Sequence, residues 1–367
     1  MRKGLVSITL AAAYVLGMAV SAGAAPARSL AEVIEGAKKE GKVAVRLVHG
    51  FKEKSMNRLE KEIREKFGVD LKINYTGETK MTETVAQAIM EDKTGAVPPY
   101  DMLSLSNHIA MANENGILEQ VDWKPLLIQG TNPEAVNDNP LMRGSLVYTT
   151  AHFGIMYNAD KVKPDEVPRT MADLADPKWK NKVGIETGGG SSVRWAFVLG
   201  KDKMIATYRD ILKNGAITSR ATTQYNRFLI GEIWFTRLSS TFLGTARKQG
   251  VRAEWQSLDF SDITEFAAVV RKGARNPNAA KLVALYLASP EGVKFGSEEN
   301  GYGSMYYPGN YEHDIRLQDQ KQGIPEIFTC RKTDILEFYT SKEGRSWGKE
   351  IGLILQTGGG GKAKKKK

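Results

Sequence analysis

The sequence predicts an α/β protein built in two domains. Three observations carry that expectation. In the first third of the chain, β-branched apolar runs and segments with helical spacing follow one another in turn, the pattern of parallel βαβ units with helices on both faces of a sheet. The alternation breaks over 121–143, a polar stretch holding Pro125, Pro133 and Pro140, and then resumes. The length, 367 residues, suits two domains of about 100–200 residues each.

Taken in order, Leu30, Val33, Ile34 and Ala37 recur at helical spacing over 29–40, and Gly41 ends that helix. A strand over 42–48 follows. Leu59, Ile63 and Phe67 share one face of a helix over 56–67, which Gly68 stops, and 69–75 alternates as a strand. A helix over 81–92 turns Val85, Ala88 and Ile89 inward, 100–105 reads as a short buried strand, and a helix over 109–115 closes at Gly116. Beyond the polar connection, 146–157 is long enough to cross between domains. The stretch 164–177 is turn-rich, and 182–185 starts a new strand. Helices are expected over 204–213, 225–231, 242–248 and 277–288, with strand and turn over 232–240 and a strand over 266–270. No internal repeat is present.

The ends carry their own signals. Arg2 and Lys3 precede an apolar stretch over 5–20, and Ala22-Gly23-Ala24 forms a small-x-small site. This is the pattern of a cleaved secretory signal over 1–24, which makes the mature chain a soluble exported protein in the periplasm. No cysteine stands near the cut to carry a lipid, and no second segment is long and apolar enough to span a bilayer. Cys330 is the single cysteine, so an intramolecular disulfide is excluded and a buried, inert thiol is expected. The formal net charge of +10 comes mostly from Arg2, Lys3, Lys362 and Lys364 to Lys367, leaving about +3 for the body. The body shows no dense basic stripe, which argues against a nucleic-acid partner, and 358–367 reads as a disordered Gly/Lys tail.

One stretch stands out chemically. Gly188-Gly189-Gly190-Ser191-Ser192 follows the apolar Val183-Gly184-Ile185 and opens the apolar Trp195-Ala196-Phe197-Val198-Leu199. Strand, glycine turn and helix start place unpaired backbone N–H groups and the positive end of the helix dipole where a ligand can approach closely. The stretch either cradles an oxygen-rich anion or only connects strand to helix.

The order of motifs resembles the type II periplasmic solute-binding proteins of ATP-driven (ABC) importers, in the branch related to the ferric-iron binders (extracellular solute-binding protein family 1). The residues that carry it are Gly154-Ile155-Met156-Tyr157-Asn158; Pro168-Arg169-Thr170-Met171-Ala172-Asp173-Leu174-Ala175-Asp176-Pro177-Lys178-Trp179-Lys180; Gly231-Glu232; and Asn276-Pro277-Asn278-Ala279-Ala280-Lys281 with Ser289-Pro290-Glu291-Gly292. The match runs from about 41 to 308. It implies two α/β lobes with a ligand cleft between them that closes by hinge bending. Lobe I would be 25–148 with 262–310 and lobe II 149–261, while 311–357 is helical and unassigned. It also implies a monomer that delivers a small solute to an inner-membrane ABC permease, with no cofactor.

Ligands of open α/β sheets sit beyond the carboxyl ends of the strands. The candidate contacts are therefore His49, Glu78 and Ser106 in lobe I, and Gly190, Ser191, Ser192, Tyr225 and Arg237 in lobe II. The resemblance implies a histidine near 49, an acidic ligand near 78 and an anion at 190–192. Each also has a plain structural alternative: a loop cap for His49, a helix-dipole partner for Glu78, an ion pair for Arg237. At 237–242 the ferric binders carry adjacent tyrosines, since phenolate suits a hard trivalent cation; here the residues are Arg237-Leu238-Ser239-Ser240-Thr241-Phe242. A guanidinium repels a metal and attracts a carboxylate or phosphate, so the expected solute is an organic anion or phosphorus oxyanion, with ferric iron as the alternative and no metal site assigned.

An enzyme is not expected. Gly189-Gly190-Ser191-Ser192-Val193 fails the nucleophile-elbow pattern at its last position. The four histidines, at 49, 108, 152 and 313, have no zinc spacing, and no phosphate loop is present. Distant residues can still converge, so an exported hydrolase on an α/β scaffold stays as the reading from another class.

Overall fold

The computed structural model describes residues 29–358. The expected signal segment and nearly all of the Gly/Lys tail lie outside the described residues. The chain opens as α1 (Leu30–Glu40), β1 (Lys42–Val48), α2 (Glu53–Phe67), β2 (Lys72–Glu78), α3 (Met81–Lys93), β3 (Met102–Leu105) and α4 (Ile109–Glu114). Local chemistry sets these limits. Ser29 Oγ accepts from the Glu32 N–H at 3.2 Å to cap α1, and Gly41, at φ 62°, ends it in the left-handed region. The proline-rich connection forms three short 3-10 turns, two of them capped by Asn132 and Asn139.

Then come β4 (Ser145–Asn158), β5 (Val183–Glu186), α5 (Gly189–Leu199), α6 (Lys201–Lys213), β6 (Ile217–Ser219), α7 (Ala221–Leu229), β7 (Phe235–Ser239), α8 (Thr241–Lys248), β8 (Ala253–Gln256) and β9 (Ser261–Val270). The chain ends with α9 (Pro277–Ala288), α10 (Pro290–Glu299), α11 (Tyr311–Lys321), β10 (Glu326–Phe328), α12 (Thr333–Thr340) and α13 (Lys342–Thr357).

The strands form one mixed sheet in the order β2-β1-β3-β9-β4-β7-β5-β6, with β10 on β9 and β8 on β4. The βαβ expectation holds at both ends of the sheet. β1 is parallel to β2 and β3, and β5 is parallel to β6 and β7. Between them run two long antiparallel strands. The first half of β4 lies against β9 and its second half also takes β7 and β8. β9 pairs with β10 at its start and with β3 at its end. These two strands are backbone links between the halves, and the chain crosses again between α10 and α11.

Helices cover both faces of both halves. In the first half, α1, α2 and the mostly apolar α9 pack on one face, around Leu47, Leu59, Ile63 and Leu285; α3 and α4 cover the other, around Val85, Leu103 and Ile109. α9 is buried along Ala279–Ala288, including Lys281, which pairs with Glu119 at 2.6 Å. In the second half, α5, α6 and α13 surround Trp195, Tyr208 and Ile351, while α7 and α8 pack around Phe228, Leu243 and Trp255. Residues 311–357 pack on both halves: Ile351 and Leu355 of α13 are fully buried in the second, whereas Cys330, and Leu336 of α12, join the first-half core around Val85 and Leu103.

Three expectations are corrected. The strand expected over 69–75 runs Lys72–Glu78, so Glu78 is its last residue and not part of a following loop. The strand expected over 266–270 begins at Ser261; its polar first half is buried because Asp262 and Glu265 find Arg194 and Arg331 as partners. The helix expected from 225 begins at Ala221, which puts Tyr225 inside it. Cys330 is a free, buried thiol, and burial pushes its pKa up to about 12. No helix among the described residues is long and apolar enough to cross a membrane.

Candidate functional site

The carboxyl ends of β1, β2 and β3 face those of β5 and β7 across the level where β4 and β9 cross. On one side the gap is bridged by Tyr302. Its ring meets His49 edge-on at 6.0 Å, with its Oη 3.4 Å from His49 Nδ1, and its hydroxyl also reaches Thr241 at the start of α8. On the other side the gap stays open as a cavity of about 630 Å³. Thr82, Asn107, His108, Met111 and Glu114 line its first wall, and Val193, Tyr339, Thr340, Arg345 and Lys349 line its second.

The candidate residues fall into three groups. Gly190 and Ser191 lie in the first turn of α5, which begins at Gly189 immediately after the glycine turn. Arg237, on β7, holds its guanidinium 4.8 Å from the centre of the Trp195 ring in α5, and its charge acts on Glu186 at the end of β5. Arg237 is thus itself buried, 2% exposed, against the second turn of α5 and near enough to Glu186 to act on it. Burial raises the Glu186 pKa, with Arg237 pulling the other way.

His49 and Ser106 sit at the first-half strand ends. His49 is exposed, and Ser106 Oγ donates to Asn107 Oδ1 at 2.8 Å beside the cavity. The remaining three are engaged within the protein. Glu78 is buried, paired with Arg46 at 3.0 Å, and accepts from Thr84 Oγ1 at 2.7 Å and the Lys80 N–H at 2.6 Å. Ser192 is fully buried, with its Oγ 2.7 Å from Tyr208 Oη. Tyr225 stacks on Phe242 at 5.0 Å in the core beneath α7 and α8. Trp195 is core, as expected, and its Nε1 donates to Asp262 at 2.9 Å.

The sequence reading passed over Glu186, Asn107, His108, Arg345 and Lys349. The rule that placed Ser106 at a strand end extends to its neighbours Asn107 and His108, and Glu186 ends the strand before the glycines. Arg345 and Lys349 had no such signal. Among the described residues, no group of three or more His, Cys, Asp or Glu side chains comes together to hold a metal ion.

Glu186 gives a test of this electrostatic arrangement. A carboxyl whose pKa is raised by folding contributes stability that is present below the ordinary carboxylate pKa and lost as pH rises through the folded value. Glu186→Gln is therefore expected to melt higher than the wild type near pH 7, with the difference closing as the pH falls towards about 4. Melting curves across that range check it; a difference independent of pH would remove burial as the cause.

A sequence profile of the bacterial extracellular solute-binding proteins matches residues 58–310. The chain belongs to this family. This solute-binding protein is 27% identical over 190 residues to Iron uptake protein A1 of Synechocystis sp., an alignment that takes in 48% of the chain and 51% of that relative; it thus spans about half the length of that protein. Among solved structures it resembles iron-bound HitA from Pseudomonas aeruginosa, with a TM-score of 0.61 at 17% identity over 85% of this chain and 99% of that one. It also resembles a putative spermidine/putrescine ABC transporter protein from Listeria monocytogenes, with a TM-score of 0.62 at 15% identity over 86% and 99%. At these identities the likeness of the solved structures speaks for the two-lobed fold that this solute-binding protein shares with them.

Proposed function

We propose that this protein is the periplasmic receptor of an ABC importer. It captures a small anionic solute, an organic acid or a phosphorus oxyanion, between its two lobes and hands it to a membrane permease without covalent chemistry. The lobes divide as 25–148 with 262–310 and 149–261, and bending of β4 and β9 closes the cleft. The observation that carries the ligand class is the buried Arg237, packed on Trp195 of α5 and acting on Glu186 just before the glycine turn that opens that helix; a guanidinium and the positive end of a helix dipole both favour negative charge. His49, Ser106, Gly190 and Ser191 are the remaining contacts at the strand ends. Glu78, Ser192 and Tyr225 act one layer back by holding those ends in place.

A second reading, ferric iron as cargo, is favoured by the iron-uptake relative and by the His49–Tyr302 pair. Against it stand Arg237 where the iron binders carry tyrosines and the Arg46 charge that already neutralises Glu78. The polyamine-transporter likeness raises a cationic cargo as a third outcome.

A thermal-shift screen of organic acids, phosphate esters, polyamines and ferric complexes separates the three. A ligand at 100 times its Kd stabilises the folded state by about 2.7 kcal/mol, a readily measured rise in Tm. The expected winners are anions. Stronger stabilisation by ferric ion or by spermidine than by every anion would overturn the ligand class while leaving the receptor reading in place.

A further inference from the structure

We propose that the C-terminal hairpin α12–α13 forms half of an anion-recognition site at the open side of the cleft. Arg345 and Lys349 lie across the cavity from Thr82, Asn107 and His108, and together they take a carboxylate or phosphate group of the captured solute. The inference rests on the anionic-solute reading above and extends it to a part of the chain that the family profile, ending at 310, does not reach.

The cavity has the right size and the right construction. Its volume of about 630 Å³ lies within the range of about 300–1,000 Å³ usual for small-molecule sites. One wall comes from α3 and α4 of the first half and the other from α5, α12 and α13 of the second, so any movement of the lobes changes the distance across it. The charge is one-sided. Arg345 and Lys349 line the second wall, and Glu114, on the first, is the one carboxylate among the lining residues.

The first wall holds buried polar atoms that lack a hydrogen-bond partner. Asn107 is 6% exposed. Its Oδ1 is taken by the Ser106 hydroxyl at 2.8 Å, which fixes the amide and leaves Nδ2 buried with no hydrogen-bond partner. His108 Nε2 lies 2.9 Å from Thr82 Oγ1, and Nδ1 is buried without a partner. Burial lowers the His108 pKa, with Glu78 opposing, so the imidazole is neutral and can offer an N–H without adding charge. Both atoms are covered in this structure; a buried donor left unmade costs about 1–3 kcal/mol, and side-chain movement that uncovers them would let an oxyanion in the cavity offset that cost.

The second wall is a rigid mount. Ser341 Oγ caps α13 by accepting from the Gly344 N–H at 2.9 Å. A Cβ at Gly344 would stand 2.1 Å from the Phe338 carbonyl, so the tight corner requires glycine. Phe338 packs on Phe197 of α5 at 4.7 Å and on Trp347 at 4.6 Å, and Lys201 pairs with Glu350 at 2.6 Å. Arg345 is itself steadied by a hydrogen bond to the Thr340 carbonyl. The two basic residues are thus presented from a fixed helix face.

The test titrates the mature chain with succinate, citrate, inorganic phosphate and glycerol 3-phosphate, with spermidine and ferric citrate as counter-probes, by calorimetry and thermal shift. At least one of the four anions is expected to bind the wild type, and comparing the carboxylates with the phosphates shows which group the site takes. R345A/K349A is expected to weaken that anion at least tenfold with the ligand-free Tm unchanged, since both side chains are exposed. Asn107→Ala is expected to weaken it by a smaller factor. K38A/K61A, which removes the same charge from α1 and α2, should leave the affinity as it was. Undiminished anion binding by R345A/K349A, or an equal loss in K38A/K61A, would overturn this site and leave the anionic-solute reading standing. Binding of only spermidine or ferric citrate, or of none of the four anions, would overturn both.

Discussion

Asp262→Ala is expected to destabilise the folded protein by about 3–5 kcal/mol, the cost of stranding a buried charge. Asp262 is fully buried on β9 and is the shared acceptor of a network between that strand and α5. It takes Arg194 Nη2 at 3.0 Å and Nε at 3.2 Å, Trp195 Nε1 at 2.9 Å and Thr329 Oγ1 at 3.3 Å. Arg194 is only 7% exposed; without Asp262 its charge has the face of Phe153, 5.0 Å away, and little else. Denaturant melts of Asp262→Ala, Arg194→Met and R194M/D262N separate the causes. The double variant, which removes charge and counter-charge together, should recover much of the loss. A double variant as unstable as Asp262→Ala would show that packing, not the stranded charge, sets the cost.

Gly154→Ala is expected to cost about 1–3 kcal/mol by overpacking, at the upper end of that range because its worst contact is with backbone. Gly154 lies in the second half of β4, between β7 and the point where the chain leaves β8. A methyl group there would stand 2.6 Å from the Gln256 carbonyl oxygen and 3.2 Å from Ser257 Cα, with the Trp255 ring 3.0 Å away. Backbone on two sides cannot yield as a flexible side chain would. β8 has to lift off a strand that links the two lobes, so solute affinity should fall along with Tm. A variant that melts normally would mean that β8 is held loosely enough to move aside.

Much of the fold was legible because its signals are local. Lys42–Val48 and Pro277–Ala288 come out with the expected limits, since apolar pattern and helix punctuation agree there. The polar half of β9 was not legible. Ser261, Asp262 and Glu265 read as loop until their partners Arg194 and Arg331, distant in sequence, are known. β6, β8 and β10 are three or four residues long and exist because a sheet edge receives them, which no local pattern announces.

The site divides in the same way. The glycine turn opening a helix was readable, but the helical rotation that turns Ser192 inward to Tyr208 was not. Glu78 looked like a loop acid, and only strand register sets it beside Arg46. Arg345 and Lys349 carry no motif; their place follows from the packing of α13 on α5.

The central position of β9 has a consequence for the order in which the molecule can form. A nascent chain of about 260 residues contains the residues of β1 through β8, yet β3 still has an open edge and the first half of β4 has no strand beside it. Both wait for residues 261–270, and β10 arrives later still. β3, made early, and β9, made late, are therefore neighbours in the finished sheet. Such long-range pairing slows folding, because chain closure must come before the contacts that reward it. Docking of β9 is the step that should limit refolding.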